Sequence, residues 1–109
     1  MIIKEKTVNG LPILSLHGKL DIFSKNVLKE TAEKYQGTET KGIILDFEGI
    51  TFVDSVGLGI LTVVARTFQK LQGRVILVNP QEHVKSIFVG MNLGPQSAQP
   101  FSSIENILQ

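Results

Sequence analysis

The residues of this chain that are best placed to do chemistry lie in the segment DSVGLG, residues 54–59. An apolar run and a turn precede this segment and a helical pattern follows it, so Ser55 stands where a loop meets a helix start. A helix N-terminus gathers unpaired backbone N–H groups and partial positive charge. The Ser55 hydroxyl is therefore either a helix cap, a role worth about 1 kcal/mol, or a site for phosphate.

Two glycines in the first turn of this helix indicate more than a cap. Gly57 and Gly59 each cost roughly 0.5–1 kcal/mol relative to alanine within a helix. A helix that needs only a cap has no use for them. We therefore expect another backbone to approach this turn closely.

The composition is that of an ordinary globular protein, and we expect a single domain over residues 1–109. Hydrophobic residues make up 42% and charged residues 19%, while 11 basic side chains nearly balance 10 acidic ones. This balance gives no global field that would gather nucleic acid or an anionic membrane. Without cysteine, a signal-peptide pattern or a membrane-length apolar run, the chain is expected to be cytoplasmic and not inserted in a membrane.

Short β-favouring runs indicate at least four strands. Asn9-Gly10 is the residue pair that best suits a type I′ turn, so the chain should open with an antiparallel hairpin whose His17 points outward. A continuous apolar run over residues 43–45 predicts a strand buried on both faces. We expect hairpin strands over 2–8 and 11–17, a break over 18–21, a turn at 48–49, and a further buried strand over 75–78.

Apolar residues at helical spacing predict the helices that lie between these strands. The first runs from Phe23 to near Gly37 with Phe23 on its apolar face, and the second covers residues 56–72 with Leu71 on its apolar stripe. Asn79 and Pro80 predict the cap and first residue of a third helix, which Gly90 ends. A loop over residues 91–100 leaves room for only a short fifth strand before a last helix that is capped near Ser102.

The order of elements predicts an α/β fold with a mixed sheet of four to five strands, an N-terminal β-hairpin and about four helices. Binding sites in such sheets lie where the carboxyl ends of neighbouring parallel strands converge. Asp21 follows the second strand, and Asp54-Ser55 follow the third. We expect these residues to meet at one edge of the sheet.

Several other kinds of site are disfavoured. An esterase elbow needs a glycine two residues before the serine, where this chain has Val53. Gly57-x-Gly59 lacks the third glycine of a dinucleotide site. His17 and His83 have no metal-ligand spacing. A magnesium-binding receiver domain would need five parallel βα repeats, whereas this chain begins with a hairpin. We expect no enzyme activity, no cofactor, no metal and no nucleic-acid partner.

The segment from Gly42 to Leu61 resembles the signature of the STAS domain, whose anti-sigma-factor antagonists carry D-S-[ST]-G-[LI]-G after a buried strand. The hairpin, the segment GKLD at residues 18–21 and the strand and helix order match as well. The resemblance implies that an anti-sigma serine kinase phosphorylates Ser55, that the unphosphorylated protein binds this kinase, and that a serine phosphatase resets the switch.

The same resemblance implies that the partner-binding surface is formed by residues on both sides of Ser55, namely Lys19, Asp21, Asp54, Ser55, Val56, Gly57 and Leu58. Three features depart from the family pattern. Val56 stands where phosphorylated members usually carry Ser or Thr, Lys19 replaces a usual Glu, and PQSAQP at residues 95–100 replaces an apolar edge strand. A charge reversal at Lys19 indicates an altered partner.

Two functions therefore remain open. The chain is either a phosphorylation-controlled antagonist or an accessory STAS subunit of a transport or signalling complex, in which Ser55 is a cap that is never modified. Val56 favours the second function.

Overall fold

The computed structural model describes residues 1–36, 42–90 and 99–102. Within them five strands form one sheet in the order β1-β2-β3-β4-β5, in which β1 and β2 are antiparallel and every other pair is parallel. The strands are β1 (Ile2–Val8), β2 (Leu11–Leu20), β3 (Gly42–Val53), β4 (Arg74–Val78) and β5 (Gln99–Ser102). The helices are α1 (Lys25–Glu33), preceded by a 3-10 turn (Ile22–Ser24), α2 (Ser55–Lys70) and α3 (Glu82–Gly90).

The N-terminal hairpin and the mixed sheet confirm the predicted fold. Asn9 and Gly10 have φ angles of 53° and 79°, the pair of positive values that a type I′ turn requires. The short fifth strand is present and pairs parallel to β4. The predicted end of the first helix near Gly37 and the predicted last helix after Ser102 lie outside the described residues.

All three helices pack on the same face of the sheet. Each connection from β2 onward moves one strand along in the same direction, and right-handed crossovers then place every helix on one side. One continuous core confirms this arrangement, because it joins Leu28 of α1, Leu61 of α2 and Val84 of α3 to the strands. The opposite face holds a smaller buried cluster of Ile13, Ile44 and Val78.

The second and third strands are longer than the sequence predicts. The expected break at residues 18–21 and the expected turn at Glu48-Gly49 are both wrong, because β2 and β3 pair in parallel as far as Leu20 and Val53. Gly18 has a φ of 113° and lies where the register shifts. A Cβ at Gly49 would collide with His17, so this glycine permits close strand approach and does not mark a turn.

The third helix begins later than predicted. Asn79 has a φ of 55°, whereas a helix cap is normally extended, so it does not cap α3. The amides of Val84 and Lys85 instead donate to the Gln81 carbonyl at 3.0 and 2.9 Å. This strand-to-helix segment is tied to β3, since Gln81 donates to the Glu48 carbonyl and a His83 ring nitrogen lies 2.8 Å from the Thr51 carbonyl.

Two residues that were predicted to face the core are exposed. Phe23 is 90% exposed because it belongs to the 3-10 turn that precedes α1. Leu71 is 53% exposed because α2 has already ended at Lys70.

The C-terminal end of α1 is joined to the first strand by polar contacts. The Tyr35 hydroxyl donates to Glu5 Oε1 at 2.6 Å, and the Lys34 ammonium lies 3.1 Å from Glu5 Oε2. These two contacts, with Tyr35 contributing most, hold the pKa of Glu5 below its ordinary value of 4.5. The same bond to the Glu5 carboxylate raises the pKa of Tyr35 above 10.0.

We predict that Tyr35→Phe moves the pKa of Glu5 up toward its ordinary value. A depressed carboxyl pKa stabilises the fold above the unfolded pKa and loses that contribution as the pH falls through the folded value. The variant should therefore lose stability at neutral pH and lose less of it at acidic pH. Carboxyl ¹³C titration by NMR measures the shift, Lys34→Gln should give a smaller one, and an unchanged Glu5 pKa in Tyr35→Phe would contradict the prediction.

Candidate functional site

The site is built where β2 and β3 end side by side. Leu20 is paired with Val53 in the parallel register, and the amide of Asp54 donates to the Leu20 carbonyl at 3.3 Å. Asp21 and Asp54 are the residues that follow these two strand ends. The prediction that Asp21 and Asp54-Ser55 meet at one edge of the sheet is confirmed.

Asp54, and not Ser55, caps α2. Asp54 has extended backbone angles, φ −111° and ψ −177°, and its Oδ1 accepts from the amide of Gly57 at 2.8 Å. The alternative that Ser55 is the helix cap is wrong, because Ser55 is already the first helical residue. A cap must be extended so that its side chain can fold back over the first turn, and Asp54 occupies that place.

The Ser55 hydroxyl is consequently left without a structural task. The side chain is exposed, and within the described part of the chain it makes no hydrogen bond. A catalytic serine needs a base within hydrogen-bond reach, and Ser55 has none among these residues. The hydroxyl instead faces solvent, beside the positive end of the α2 dipole.

Asp21 caps the 3-10 turn in a similar way. Its Oδ1 accepts from the amide of Phe23 at 3.0 Å, while the Ser24 hydroxyl accepts from the amide of Asp21 at 2.9 Å. This reciprocal pair is a capping box. It turns Ile22 and Phe23 outward, where they are 55% and 90% exposed. The Asp-x-x-Ser spacing of residues 21–24 is the sequence signal that would have removed Phe23 from the predicted core.

The two glycines of α2 have different surroundings. A Cβ at Gly57 would collide with the Leu20 carbonyl, so close approach of a backbone is confirmed here, and that backbone is the end of β2. A Cβ at Gly59 would meet nothing within 4 Å. Close packing against β2 therefore requires a glycine at position 57, whereas packing within the protein does not require one at position 59.

An open groove of about 500 Å³ separates two walls of the structure. The 3-10 turn and α1 form one wall, and α2 forms the other. Ile60 and Val64 also line this groove, and both are nearly buried. We define the α1–α2 groove by its six more open lining residues, which are Ile22, Lys25, Lys29, Val56, Gly59 and Val63. Among these six residues, only Val56 belongs to the partner surface that is predicted from the sequence.

The remaining residues of the predicted partner surface have mixed positions. Val56 is 44% exposed beside Ser55. Leu58 is 2% exposed and Gly57 is buried, so both residues pack in the core and do not form part of the exposed surface. Lys19 is exposed near the same end of β2, and its ammonium lies 6.0 Å from the Phe52 ring centroid, within range of a cation–π contact.

The described residues offer no cluster of three or more His, Cys, Asp or Glu side chains able to hold a metal ion. In the same part of the chain, each helix is too short or too polar to cross a bilayer.

We predict that Asp54→Ala lowers the free energy of unfolding by about 1 kcal/mol, since the Gly57 amide loses its capping acceptor. Asp54→Asn is the matched variant, because asparagine caps about as well as aspartate and removes only the charge. It should unfold within a few tenths of a kcal/mol of wild type. Urea denaturation compares the two, and equal losses would contradict the assignment of Asp54 as the cap.

A second matched pair tests the two glycines. Gly57→Ala should destabilise the protein by about 1–3 kcal/mol, because the new methyl group collides with the rigid end of β2. Gly59→Ala should stabilise it by about 0.5–1 kcal/mol, because alanine is the better helix former and the added carbon meets open space. Thermal and urea unfolding measure both changes, and a stabilising Gly57→Ala would contradict the close contact between Gly57 and Leu20.

The comparisons with known proteins agree with this geometry. The STAS domain model matches residues 3–106. The anti-sigma F factor antagonist of Lysinibacillus sphaericus is 35% identical over 85 residues, which cover 76% of this chain and 72% of that protein.

Two solved structures are similar over nearly the whole chain. The anti-sigma factor antagonist SpoIIAA in its unphosphorylated form has a TM-score of 0.77 at 25% identity, covering 98% of this chain and 93% of that one. The Bacillus cell fate determinant SpoIIAA in the phosphorylated form has a TM-score of 0.71 at 25% identity, covering 98% and 96%. The family model over residues 3–106 and the 35% identical relative establish that the chain belongs to the STAS domain family, and the two solved structures agree in fold.

Proposed function

We propose that this protein is a cytoplasmic, non-enzymatic anti-sigma factor antagonist with a single domain over residues 1–109. Unphosphorylated, it binds an anti-sigma factor serine kinase through the surface around Ser55, and phosphorylation of Ser55 ends that binding. A serine phosphatase restores the first state. The observation that carries this proposal is the exposed Ser55 hydroxyl, which is free of hydrogen bonds within the described part of the chain because Asp54 caps the helix in its place.

The fold tolerates a phosphate at this position. A phosphoserine carries a charge of about −1.5 to −2, and a helix N-terminus stabilises negative charge by roughly 0.3–1 kcal/mol. Because Ser55 contributes no bond to the cap, its modification leaves the Asp54 to Gly57 hydrogen bond in place. The folded structure therefore persists in both states.

The partner is affected more strongly than the fold. Two unit charges about 6 Å apart repel by about 1–3 kcal/mol at effective dielectrics between a protein surface and water, and Asp54 is the neighbouring residue. A kinase surface that fits a small neutral hydroxyl would also have to desolvate the phosphate. A partner that excludes water from the site increases the repulsion between the phosphate and Asp54 and removes the hydration of the phosphate, so both effects oppose binding.

The relatives support the proposal. One is described as an anti-sigma F factor antagonist, and SpoIIAA has been solved in both unphosphorylated and phosphorylated forms. Val56 supports a second candidate, an accessory STAS subunit that is not phosphorylated, because an exposed apolar residue takes the place of a second hydroxyl beside Ser55.

We predict that ATP and an anti-sigma kinase encoded in the same genome place a single phosphate on Ser55, located by tandem mass spectrometry. Ser55→Ala should abolish the modification. Ser86→Ala is the matched control and should leave the modification unchanged. Ser86 is also exposed, but its hydroxyl donates to the Glu82 carbonyl at 3.0 Å. If none of these kinases modifies Ser55, the accessory-subunit function replaces the antagonist function.

Binding to the same kinase provides the second part of the test. Ser55→Asp should bind at least about tenfold more weakly than wild type, a loss of about 1.4 kcal/mol, because it places a charge where the partner meets a hydroxyl. Ser55→Ala should bind as wild type does. Isothermal titration calorimetry measures both affinities, and a Ser55→Asp variant that binds with undiminished affinity would exclude a charge-controlled switch.

A further inference from the structure

The α1–α2 groove presents an apolar surface to solvent directly beside Ser55. Ile22 is 55% exposed, Val56 44% and Val63 55%, and Phe23, which follows Ile22 in the chain, is 90% exposed. Val56, Gly59 and Val63 are spaced by three and four residues, so they form one stripe along α2. Apolar side chains that gather in a concave patch mark an interaction surface more often than isolated ones do.

The open space over Gly59 gives this stripe a gap. Glycine weakens a helix by roughly 0.5–1 kcal/mol relative to alanine, and inside the protein nothing needs the room, because a Cβ there meets no atom within 4 Å. The gap lies between Val56 and Val63 on the outer surface of α2. Its shape suits a single apolar side chain from another molecule.

Two lysines line the α1 side of the groove. Lys25 and Lys29 are four residues apart on one helix, so their side chains are neighbours on the same face. Neither forms an ion pair within the described part of the chain, where the salt bridge joins Lys34 to Glu5. An apolar partner that covered the groove would desolvate both ammonium groups, and carboxylates at matching spacing would offset that cost.

We propose that the α1–α2 groove binds an acidic amphipathic helix of the anti-sigma kinase. An apolar side chain of that helix fills the gap over Gly59, and two carboxylates one turn apart pair with Lys25 and Lys29. This inference rests on the proposed function and adds the chemistry of the partner surface. A lipid surface fits less well, because the groove is concave and the chain carries a net charge of only +1.

The test measures binding of the kinase that modifies Ser55 to a Lys25→Glu/Lys29→Glu variant. We expect its Kd to rise at least about tenfold, as truncated or reversed charge pairs at interfaces do, and its dependence on salt to fall below that of wild type. Lys4→Glu/Lys6→Glu is the matched control, since both lysines are exposed on β1 and the change in net charge is the same. Their strand neighbours Ser15 and Ile13 place them on the sheet face opposite the helices.

Gly59→Leu provides a second variant that does not depend on charge. It should weaken kinase binding at least about tenfold by filling the gap, and it should not lower the melting temperature, because leucine is a better helix former than glycine. Wild-type affinity in both groove variants would overturn this inference and leave the Ser55 switch standing. Failure of the wild-type protein to bind any kinase would overturn both this inference and the proposed Ser55 switch.

Two further measurements decide between occupants. Sedimentation velocity of the purified protein should show a monomer, and a dimer that Lys25→Glu/Lys29→Glu dissociates would assign the groove to a second copy of the chain. Vesicles of phosphatidylcholine and phosphatidylserine should not sediment the protein. Sedimentation of wild type that Lys25→Glu/Lys29→Glu abolishes would assign the groove to a lipid surface, and either result overturns the proposal.

Discussion

The contact between the end of β2 and the start of α2 is the constraint on which the site depends. The Leu20 carbonyl accepts the amide of Asp54, and Gly57 lies so close to it that no side chain fits between them. This contact sets where β3 ends and where α2 begins. It also brings the 3-10 turn that follows β2 beside the first turn of α2, so the two sides of the groove and Ser55 are positioned together.

The two aspartates at this edge stabilise helix starts through hydrogen bonds, and Ser55 makes no such bond within the described part of the chain. Asp21 and Asp54 each accept a backbone amide at the start of a helical element, and the caps hold without the serine. Under the proposed function, stability and regulation therefore belong to adjacent residues. A charge can be added to Ser55 and removed again while the hydrogen bonds that define the site remain, which is what a reversible switch needs.

The surface around Ser55 combines features that would each be weak evidence for a binding site if taken singly. A helix end, two lysines, a glycine and a few exposed apolar residues each occur on many proteins. Here the geometry places them in one groove, with Val56 both next to Ser55 and in the groove wall. A partner that lies in this groove would contact the residue adjacent to Ser55, the proposed phosphorylation site. Its affinity would then depend on the state of Ser55.

The sequence by itself determined the local features: the Asn9-Gly10 hairpin, the buried strands, the helical stripe of α2 and the serine at the helix start. These follow from residue type and short-range spacing, which act within one or two turns of the chain. Only the tertiary structure decided that Glu48-Gly49 continue a strand and that Asp54 caps in place of Ser55. Each of these depends on where the end of β2 lies against β3 and α2, and backbone contacts between segments more than thirty residues apart leave no local pattern in the sequence.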